Sequence, residues 1–407
     1  MNLLLEAKNL LNKVIQIRRQ IHMHPEPGFE EVKTAGLITD YLDILGIPYR
    51  DGIAETGIVA QLGTDPSKPT IALRADIDAL ELQEETGAAY ASKNPGYMHA
   101  CGHDAHAAML IGVAEILSQK ELEGNVKLIF QSAEESVMTP DYVGGGAQRM
   151  VEAGVMDNVD AILALHVFTE LPEGTVGTIT GWADLVSASA DLFDIQVRGK
   201  GGHAAMSHKG KDAIVMAAEC VTALQQISSR MVDPIEPVVV SIGTIKGGSR
   251  RNIICDHVSM EGTARTLSEE VREMIPQAME RILNGVAGMY ESTIDLNYHA
   301  IYPIGRNDHQ FSQFVHAIAK EVVGPANFTL REKPMMGSED FWYYGAKAPA
   351  CFLGIGAGNE EKGLVHINHH PKFDIDEGCM AIGMSVLART AMEFLSARSA
   401  KETTVDE

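Results

Sequence analysis

Hydrophobic residues occur along this chain in two alternating patterns, short uninterrupted apolar runs and longer stretches with helical spacing. Polar or turn residues flank the short runs, as is typical of strands buried on both faces. The clearest runs are residues 70–73, 126–130, 161–165 and 351–355. Helical spacing lies between them, as in residues 107–119 and 147–153. Strands that alternate with helices predict an α/β fold with a mostly parallel sheet.

The middle of the chain differs, because its strands alternate polar and apolar residues as on a half-buried sheet. The predicted order is β-α-β-β-α-β, at residues 191–198, 212–228, 237–244, 257–266, 269–288 and 292–299. This order suits a small α+β module of the ferredoxin-like type with an antiparallel sheet. We therefore predict an α/β domain formed by residues 1–186 and 303–407, and an inserted α+β domain formed by residues 187–302.

The amino-acid composition limits which binding partners and which cellular compartment are expected. The 407 residues include 33 basic and 55 acidic side chains, a formal net charge of −22 that opposes binding to nucleic acid. The five cysteines are odd in number and show no repeated short spacing, which favours a reducing, cytoplasmic compartment. The N-terminal 19 residues have the pattern of an amphipathic helix rather than a signal peptide, and no apolar run approaches the length of a membrane span. We expect neither a nucleic-acid nor a membrane partner.

The first candidate for chemistry is the pair Cys101 and His103, just before a predicted helix that begins near Asp104. Two side chains at this spacing cannot share one helix face, but they can converge on a metal from a turn. The helix dipole there favours the Cys101 thiolate. Alone, Cys-x-His is a weak motif that is more often structural. Cys101 could also be an apolar core residue, or a nucleophile beside His103.

Further metal-donor side chains follow the predicted strands. Glu134 and Glu135 come soon after the second apolar run, and His166 comes directly after the third. In open α/β sheets, ligands bind beyond the carboxyl ends of the strands. In extended backbone, neighbouring residues point to opposite sides, so one glutamate could bind a metal while the other addresses a water. These residues could also have no role in a metal site. The glutamates could then lie in a solvated turn, and His166 could be a core residue whose hydrogen bonds are satisfied.

His369 and His370 complete the set of candidate donors, because they follow a glycine-rich turn and precede Pro371. A shell of Cys, His and Glu suits Zn, Mn, Co or Ni better than Mg or Ca, which prefer oxygen ligands. Covalent catalysis by Cys101 would leave the glutamates and His166 unexplained. The sequence therefore favours a metal site over a cysteine nucleophile.

The chain resembles a known family along nearly its whole length. The matching segments are RRQIH (18–22), RADIDAL (74–80), HACGHD (99–104), QSAEE (131–135), ALH (164–166), GKGGHAA (199–205), GSEDF (337–341) and HHP (369–371). They resemble the aminoacylase and carboxypeptidase metallopeptidases, and among these the N-acyl-amino-acid amidohydrolases, which include hippurate and auxin-conjugate hydrolases. The resemblance implies hydrolysis of the amide bond of N-acyl-L-amino acids to a carboxylic acid and a free amino acid.

The resemblance also implies a site with two divalent metal ions per subunit (Mn, Zn, Co or Ni), with Cys101 as the bridging ligand. The implied ligands are Cys101, His103, Glu135, His166 and His369. The spacing to Pro371 favours His369 over His370. Glu134 is implied as the general base and acid.

The inserted domain is implied to be a lid and a dimerisation surface, so that the protein would be a homodimer or a higher homo-oligomer. By resemblance, His203 stabilises the oxyanion, often from the partner chain, and Asn252 and Arg265 bind the substrate. Arg265 suits a carboxylate, because a guanidinium binds it as a fork.

Three points stay open at the level of sequence. Asp104, with Asp76 or Asp78, could orient ligand imidazoles, or could simply cap a helix or form a turn. A dipeptidase or carboxypeptidase could use the same scaffold. A non-catalytic relative could keep the fold and the metal, although the presence of Glu134 argues against it.

Overall fold

The computed structural model describes residues 2–135, 137–138, 142–170 and 173–403, and the chain divides into two compact units. Unit 1 comprises Met1–Val186, Arg306–Lys333 and Asp340–Glu407, and unit 2 comprises Ser187–Gly305 and Pro334–Glu339. We had assigned residues 303–305 and 334–339 to the α/β domain, but they group with unit 2. For the second segment the reason is local, since the Ala188 N–H donates to the carbonyl oxygens of Met335 (3.0 Å) and Gly337 (3.1 Å).

The regular elements of the described residues are numbered in chain order. The helices are α1 (Leu3–His22), α2 (Val32–Leu45), α3 (His103–Ser118), α4 (Gly146–Glu152), α5 (Ala213–Leu224), α6 (Glu269–Met289), α7 (His309–Val323), α8 (Trp342–Gly345) and α9 (Cys379–Thr403). The strands are β1 (Tyr49–Ile53), β2 (Gly57–Leu62), β3 (Thr70–Asp76), β4 (Asn125–Gln131), β5 (Val137–Met138), β6 (Val143–Gly144), β7 (Ala161–Phe168), β8 (Ile179–Trp182), β9 (Leu185–Ser187), β10 (Ala190–Arg198), β11 (Gly202–His203), β12 (Val238–Gly247), β13 (Ile253–Ile254), β14 (His257–Thr266), β15 (Thr293–Tyr302), β16 (Gly305–Arg306), β17 (Phe328–Arg331) and β18 (Ala350–Gly356).

Unit 1 is built on a sheet whose described strands follow the order β1-β2-β4-β3-β7-β18-β8-β17. The central strands β4, β3, β7 and β18 are each parallel to the next. Antiparallel pairs occur between β1 and β2, between β2 and β4, and between β18 and β8. Because β3 and β18 are buried along their whole length, they have the apolar character of strands covered on both faces. The predicted α/β fold with a mostly parallel sheet is confirmed.

Helix α9 is long and largely apolar, although Arg389 and Glu393 interrupt its apolar residues. By length and composition alone, its segment Cys379–Ala400 could cross a membrane, with a mean hydropathy of 1.2. However, 72% of the apolar window is buried inside the protein. A core helix has this character too, so its apolar sequence is explained by packing in unit 1.

Unit 2 contains a four-stranded antiparallel sheet, among its described residues, in the order β12-β14-β10-β15. Helices α5 and α6 supply residues to its core, including Met216, Cys220 and Met279. The order of the main elements is the predicted β-α-β-β-α-β order. The structure adds a small two-stranded sheet of β11 and β13, which the sequence patterns did not indicate.

Candidate metal centre

The carboxyl ends of β3, β4 and β7 carry three of the candidate donors, together with Asp78. Asp78 lies two residues after β3, Glu134 and Glu135 follow β4, and His166 lies within the last three residues of β7. These strands belong to the parallel part of the sheet, so their carboxyl ends meet at one edge. That edge is where open α/β sheets bind ligands.

Cys101 lies in the turn that leads into α3, and this turn depends on Gly102. Gly102 caps the helix with a φ of 96°, in the left-handed region. A Cβ atom at this position would lie 2.1 Å from Cγ2 of Val167, far inside van der Waals contact. Glycine is therefore required for both the backbone angle and the close approach of β7. The turn places Cys101 and His103 within the same group of potential ligand atoms.

The Cys101 sulfur is at the centre of the cluster. Its Sγ atom lies 3.3 Å from His166 Nε2 and 3.3 Å from His369 Nε2. Sulfur and nitrogen ligands of one tetrahedral ion lie about 3.5 Å apart, given ordinary zinc–ligand distances. Cys101 also belongs to two groups of potential ligand atoms, one with His103 and His166 and one with Glu135 and His369. Within each group, all the ligand atoms lie within 4.8 Å of one another. This is the position that a bridging ligand would occupy.

His103 is oriented by Asp78. His103 Nδ1 lies 3.0 Å from Asp78 Oδ1, so this nitrogen donates, and in the neutral ring, the form that binds metal, Nε2 carries the lone pair. Asp78 Oδ2 accepts the Glu135 N–H at 2.9 Å, so one carboxylate positions two candidate ligands. Within the described part of the chain, His103 Nε2 is buried without a hydrogen-bond partner. A buried nitrogen left in this way fits a metal ligand.

His166 is held as a neutral imidazole. Its Nδ1 donates to the Val167 carbonyl oxygen at 2.9 Å, which directs Nε2 at the Cys101 sulfur. Burial lowers the pKa of His166 well below its usual value. Neutral imidazole is the form that binds metal.

Glu134 and Glu135 follow a residue in an unusual conformation. Ala133 has a φ of 48° and is held on both sides: its N–H donates to Glu31 Oε1 at 2.7 Å, and its carbonyl accepts the Gly146 N–H at 2.7 Å. Neither glutamate lies in a strand, whereas the sequence analysis placed them in extended backbone. Both carboxylates lie near the imidazole ring of His103, because His103, Glu134 and Glu135 form one group of potential ligand atoms.

Of the two adjacent histidines, the structure brings His369 to the cluster. His369 Nε2 lies 3.0 Å from Glu135 Oε1 in addition to its contact with Cys101. His370 is engaged elsewhere, since its Nδ1 accepts the Lys372 N–H at 3.0 Å and its ring stacks on His366.

Asp104, which we had considered for orienting a ligand, has a different role. It accepts hydrogen bonds from Arg18 Nε at 2.6 Å and from His22 Nδ1 at 2.7 Å, and neither partner is a candidate ligand. Although burial raises the pKa of Asp104, the charges of Arg18 and His22 lower it well below its usual value. Asp104 thus joins α1 to the start of α3.

Sequence reasoning missed His106, which packs against the site. Its Nδ1 lies 2.6 Å from Asp76 Oδ1, and its Nε2 accepts the Val167 N–H at 2.9 Å. Both nitrogens are therefore used, so His106 is not available as a ligand. Its ring packs on the His166 ring with the centroids 4.6 Å apart. The i,i+3 spacing of His103 and His106 on α3 could have indicated a shared face.

The three remaining candidates lie in unit 2. His203 and Asn252 are exposed and adjacent, since His203 ends β11, and the Ala204 N–H donates to the Asn252 carbonyl at 3.1 Å. Arg265 lies on β14, opposite Val239 of β12. Its Nη1 donates to the Met336 carbonyl (3.1 Å) and to Ser338 Oγ (2.8 Å).

Comparisons with known proteins identify the family. The chain matches Peptidase family M20/M25/M40 over residues 72–393. It is 37% identical over 394 residues to thermostable carboxypeptidase 2 of Saccharolobus solfataricus, covering 96% of this chain and 97% of that protein. It is 37% identical over 392 residues to N-acetyl-L-cysteine deacetylase of Bacillus subtilis, covering 95% of this chain and 89% of that protein.

A solved structure gives the same result. The YXEP protein of Bacillus subtilis, described as a dinuclear metal binding peptidase from the M20 family, is similar with a TM-score of 0.77 and 34% identity. The similarity covers 96% of this chain and 99% of that one. The chain therefore belongs to peptidase family M20/M25/M40 and is an amidohydrolase of that family.

Proposed function

We propose that this protein hydrolyses the amide bond of N-acyl-L-amino acids, with two divalent metal ions per subunit. The observation that carries the proposal is the cluster of donor atoms around Cys101, with the Glu134 carboxylate beside it. The name of the deacetylase relative supports an N-acyl amino acid as the substrate.

Five side chains would hold the ions. They are Cys101, His103, Glu135, His166 and His369, with Cys101 shared. The mixture of sulfur, nitrogen and oxygen donors suits Zn, Mn, Co or Ni. Ions bound there would polarise the substrate carbonyl and lower the pKa of a water molecule.

Glu134 would carry the proton through the reaction. Its Oε2 lies 3.9 Å from His103 Nε2, and its Oε1 accepts the Asp340 N–H at 3.4 Å. The carboxylate would take a proton from the attacking water and return it to the leaving amine, as one group can serve as base and then as acid.

Unit 2 would supply His203, Asn252 and Arg265. The Ala205 N–H donates to His203 Nδ1 at 3.1 Å, so a neutral ring carries its proton on Nε2. An exposed Nε2–H can donate to a developing oxyanion. The bonds through Nη1 fix the Arg265 guanidinium, whose Nε and Nη2 groups carry further donors for a substrate carboxylate.

We also propose a homodimer formed through unit 2, and a reducing, cytoplasmic compartment. The second proposal is supported by the chemistry of Cys101, which has to remain reduced to act as a thiolate ligand. All five cysteines are buried and unpaired.

A carboxypeptidase or dipeptidase is the second candidate, because one relative is named a carboxypeptidase. A hydrolysis panel distinguishes the two: N-acetyl and N-benzoyl amino acids against free-amine dipeptides, with Mn, Zn, Co and Ni supplied in turn. We expect the N-acyl compounds to be cleaved with the higher kcat/KM. Faster cleavage of the dipeptides would select the second candidate. Metal binding without hydrolysis of any substrate would indicate a non-catalytic relative.

Metal binding should release protons. Hydrogen bonds to Cys101 and Glu135 raise the pKa of His369 to about 10, and burial raises the pKa of the Cys101 thiol. Metal ligands must be deprotonated, so these protons leave when an ion binds. Affinity should therefore rise with pH, up to the His369 pKa of about 10.

Calorimetric titration of chelator-stripped protein in buffers of different ionisation enthalpy measures this release. We expect the heat of binding to change with the buffer. The Cys101→Ser variant is the matched control, because a serine hydroxyl has no comparable proton to lose and fewer protons should be released. The same heat in every buffer would show that the donors are already deprotonated.

A further inference from the structure

Asn368 bonds to two segments that carry candidate ligands, and it directly precedes a third ligand, His369. Its Nδ2 donates to the Cys101 carbonyl at 2.9 Å and to the Val167 carbonyl at 3.1 Å. These partners are 267 and 201 positions away in the sequence. One side chain therefore joins the loop of Cys101, the end of β7 and the loop of His369.

The two carbonyls are closely tied to the ligands themselves. One belongs to Cys101, whose sulfur lies at the centre of the cluster. The other, on Val167, also accepts His166 Nδ1 at 2.9 Å and so orients the His166 ring. A carboxamide nitrogen has two hydrogens, and here each is directed at one of these carbonyls.

The backbone next to Asn368 strengthens the same connection. His369 has a φ of 66°, an unusual conformation for a residue with a side chain. Its N–H donates to the Ala100 carbonyl at 2.8 Å. Residues 368 and 369 thus bond to two successive carbonyls of the Cys101 loop, which holds His369 in the strained conformation that aims its ring at the sulfur.

We propose that Asn368 is a positioning residue of the metal centre, which fixes the relative positions of Cys101, His166 and His369 before an ion binds. The proposal rests on the proposed function, because it assumes these three ligands. It predicts that loss of the Asn368 donors weakens metal binding itself, since hydrogen bonds behind the ligands set their geometry.

The test is titration of chelator-stripped protein with Co²⁺ alone, followed by the cobalt–thiolate charge-transfer absorption. Asn368→Asp keeps the shape but turns an oxygen, in place of the donor, towards the two carbonyls. We expect the Co²⁺ affinity to fall by about 10–100-fold, as for other residues that orient metal ligands. Asn368→Ala removes both donors without adding charge, and we expect a loss in the same range.

Asn125→Asp is the matched control. Asn125 Nδ2 also donates to two backbone carbonyls, of Asp65 (2.7 Å) and Lys68 (3.2 Å), but it lies at the opposite end of β4 from the glutamates. This variant should lower the melting temperature and keep the Co²⁺ affinity of the wild type. Folding of every variant is checked by circular dichroism, and Asn368→Ala serves if Asn368→Asp does not fold.

The outcomes separate the two proposals. Wild-type Co²⁺ affinity and absorption in a folded Asn368 variant would overturn the role of Asn368 while leaving the metal centre intact. An equal loss of Co²⁺ affinity in Asn125→Asp would show that general destabilisation causes the loss, and it would also overturn the role of Asn368. If the wild-type protein itself shows no cobalt–thiolate absorption, the proposed metal centre is wrong.

Discussion

Replacing Glu134 with glutamine is expected to lower kcat by about 10²–10⁴-fold, the usual contribution of a general acid–base group. Glutamine keeps the size of the side chain and can still accept the Asp340 N–H, but it cannot take a proton from water. The proposed ligands are unchanged in this variant, so its metal content should equal that of the wild type. Initial rates and elemental analysis of the same preparation measure both quantities.

Two further variants sharpen this result. Glu135→Gln should lose metal as well as activity, because Glu135 is a proposed ligand that lies 3.0 Å from His369 Nε2. Glu152→Gln alters an exposed glutamate of α4 and should change neither. Wild-type turnover in Glu134→Gln would rule out this carboxylate as the base and move the search to another group.

Replacing His203 with alanine should lower kcat by about 10²–10³-fold, equivalent to about 2.7–4 kcal/mol of transition-state stabilisation. The expected cause is loss of the Nε2–H donor, whose tautomer the Ala205 N–H selects through Nδ1. Metal content should be unchanged, because His203 is not a proposed ligand. His208→Ala, in the same short helix Ala204–Lys209, is the matched control and should retain activity.

Mixing variants tests whether His203 acts across a dimer. If the partner chain supplies this histidine, a mixture of Glu134→Gln and His203→Ala proteins should regain part of the activity after subunit exchange. Exchange has to be verified independently, for example by mass spectrometry of labelled subunits. Exchange without any recovery would assign His203 to its own chain, and full activity of His203→Ala alone would remove it from catalysis.

The fold was largely predictable because hydrophobic periodicity reports burial. The strand His257–Thr266 has its predicted bounds, since its alternation runs to both ends. The strand Ala161–Phe168 is three residues longer than its apolar run suggested. His166 interrupts that run in sequence but is buried in the structure, and the strand continues through it. A polar residue that belongs to a functional site can therefore make a strand look shorter in the sequence than it is in the structure.

The site was predictable only in part, for a related reason. Candidate donors could be found because they follow apolar runs, and the sheet brings the ends of such runs together. Asn368 leaves no comparable signal, and His106 leaves only its helical spacing from His103. Their partners are backbone groups and side chains far away in the sequence, as in the 201 positions between Asn368 and Val167. Such contacts depend on three-dimensional register, which periodicity does not encode.

The segment Pro334–Glu339 bears on how the chain can be divided. Unit 2 is interrupted in sequence, because the chain leaves it after Gly305 and returns to it at Pro334. A fragment of residues 187–305 would lack the carbonyl partners of the Ala188 N–H and of Arg265 Nη1. Exchange of unit 2 between relatives therefore requires two grafts, and a single-segment graft would remove contacts that hold a proposed substrate-binding arginine in place.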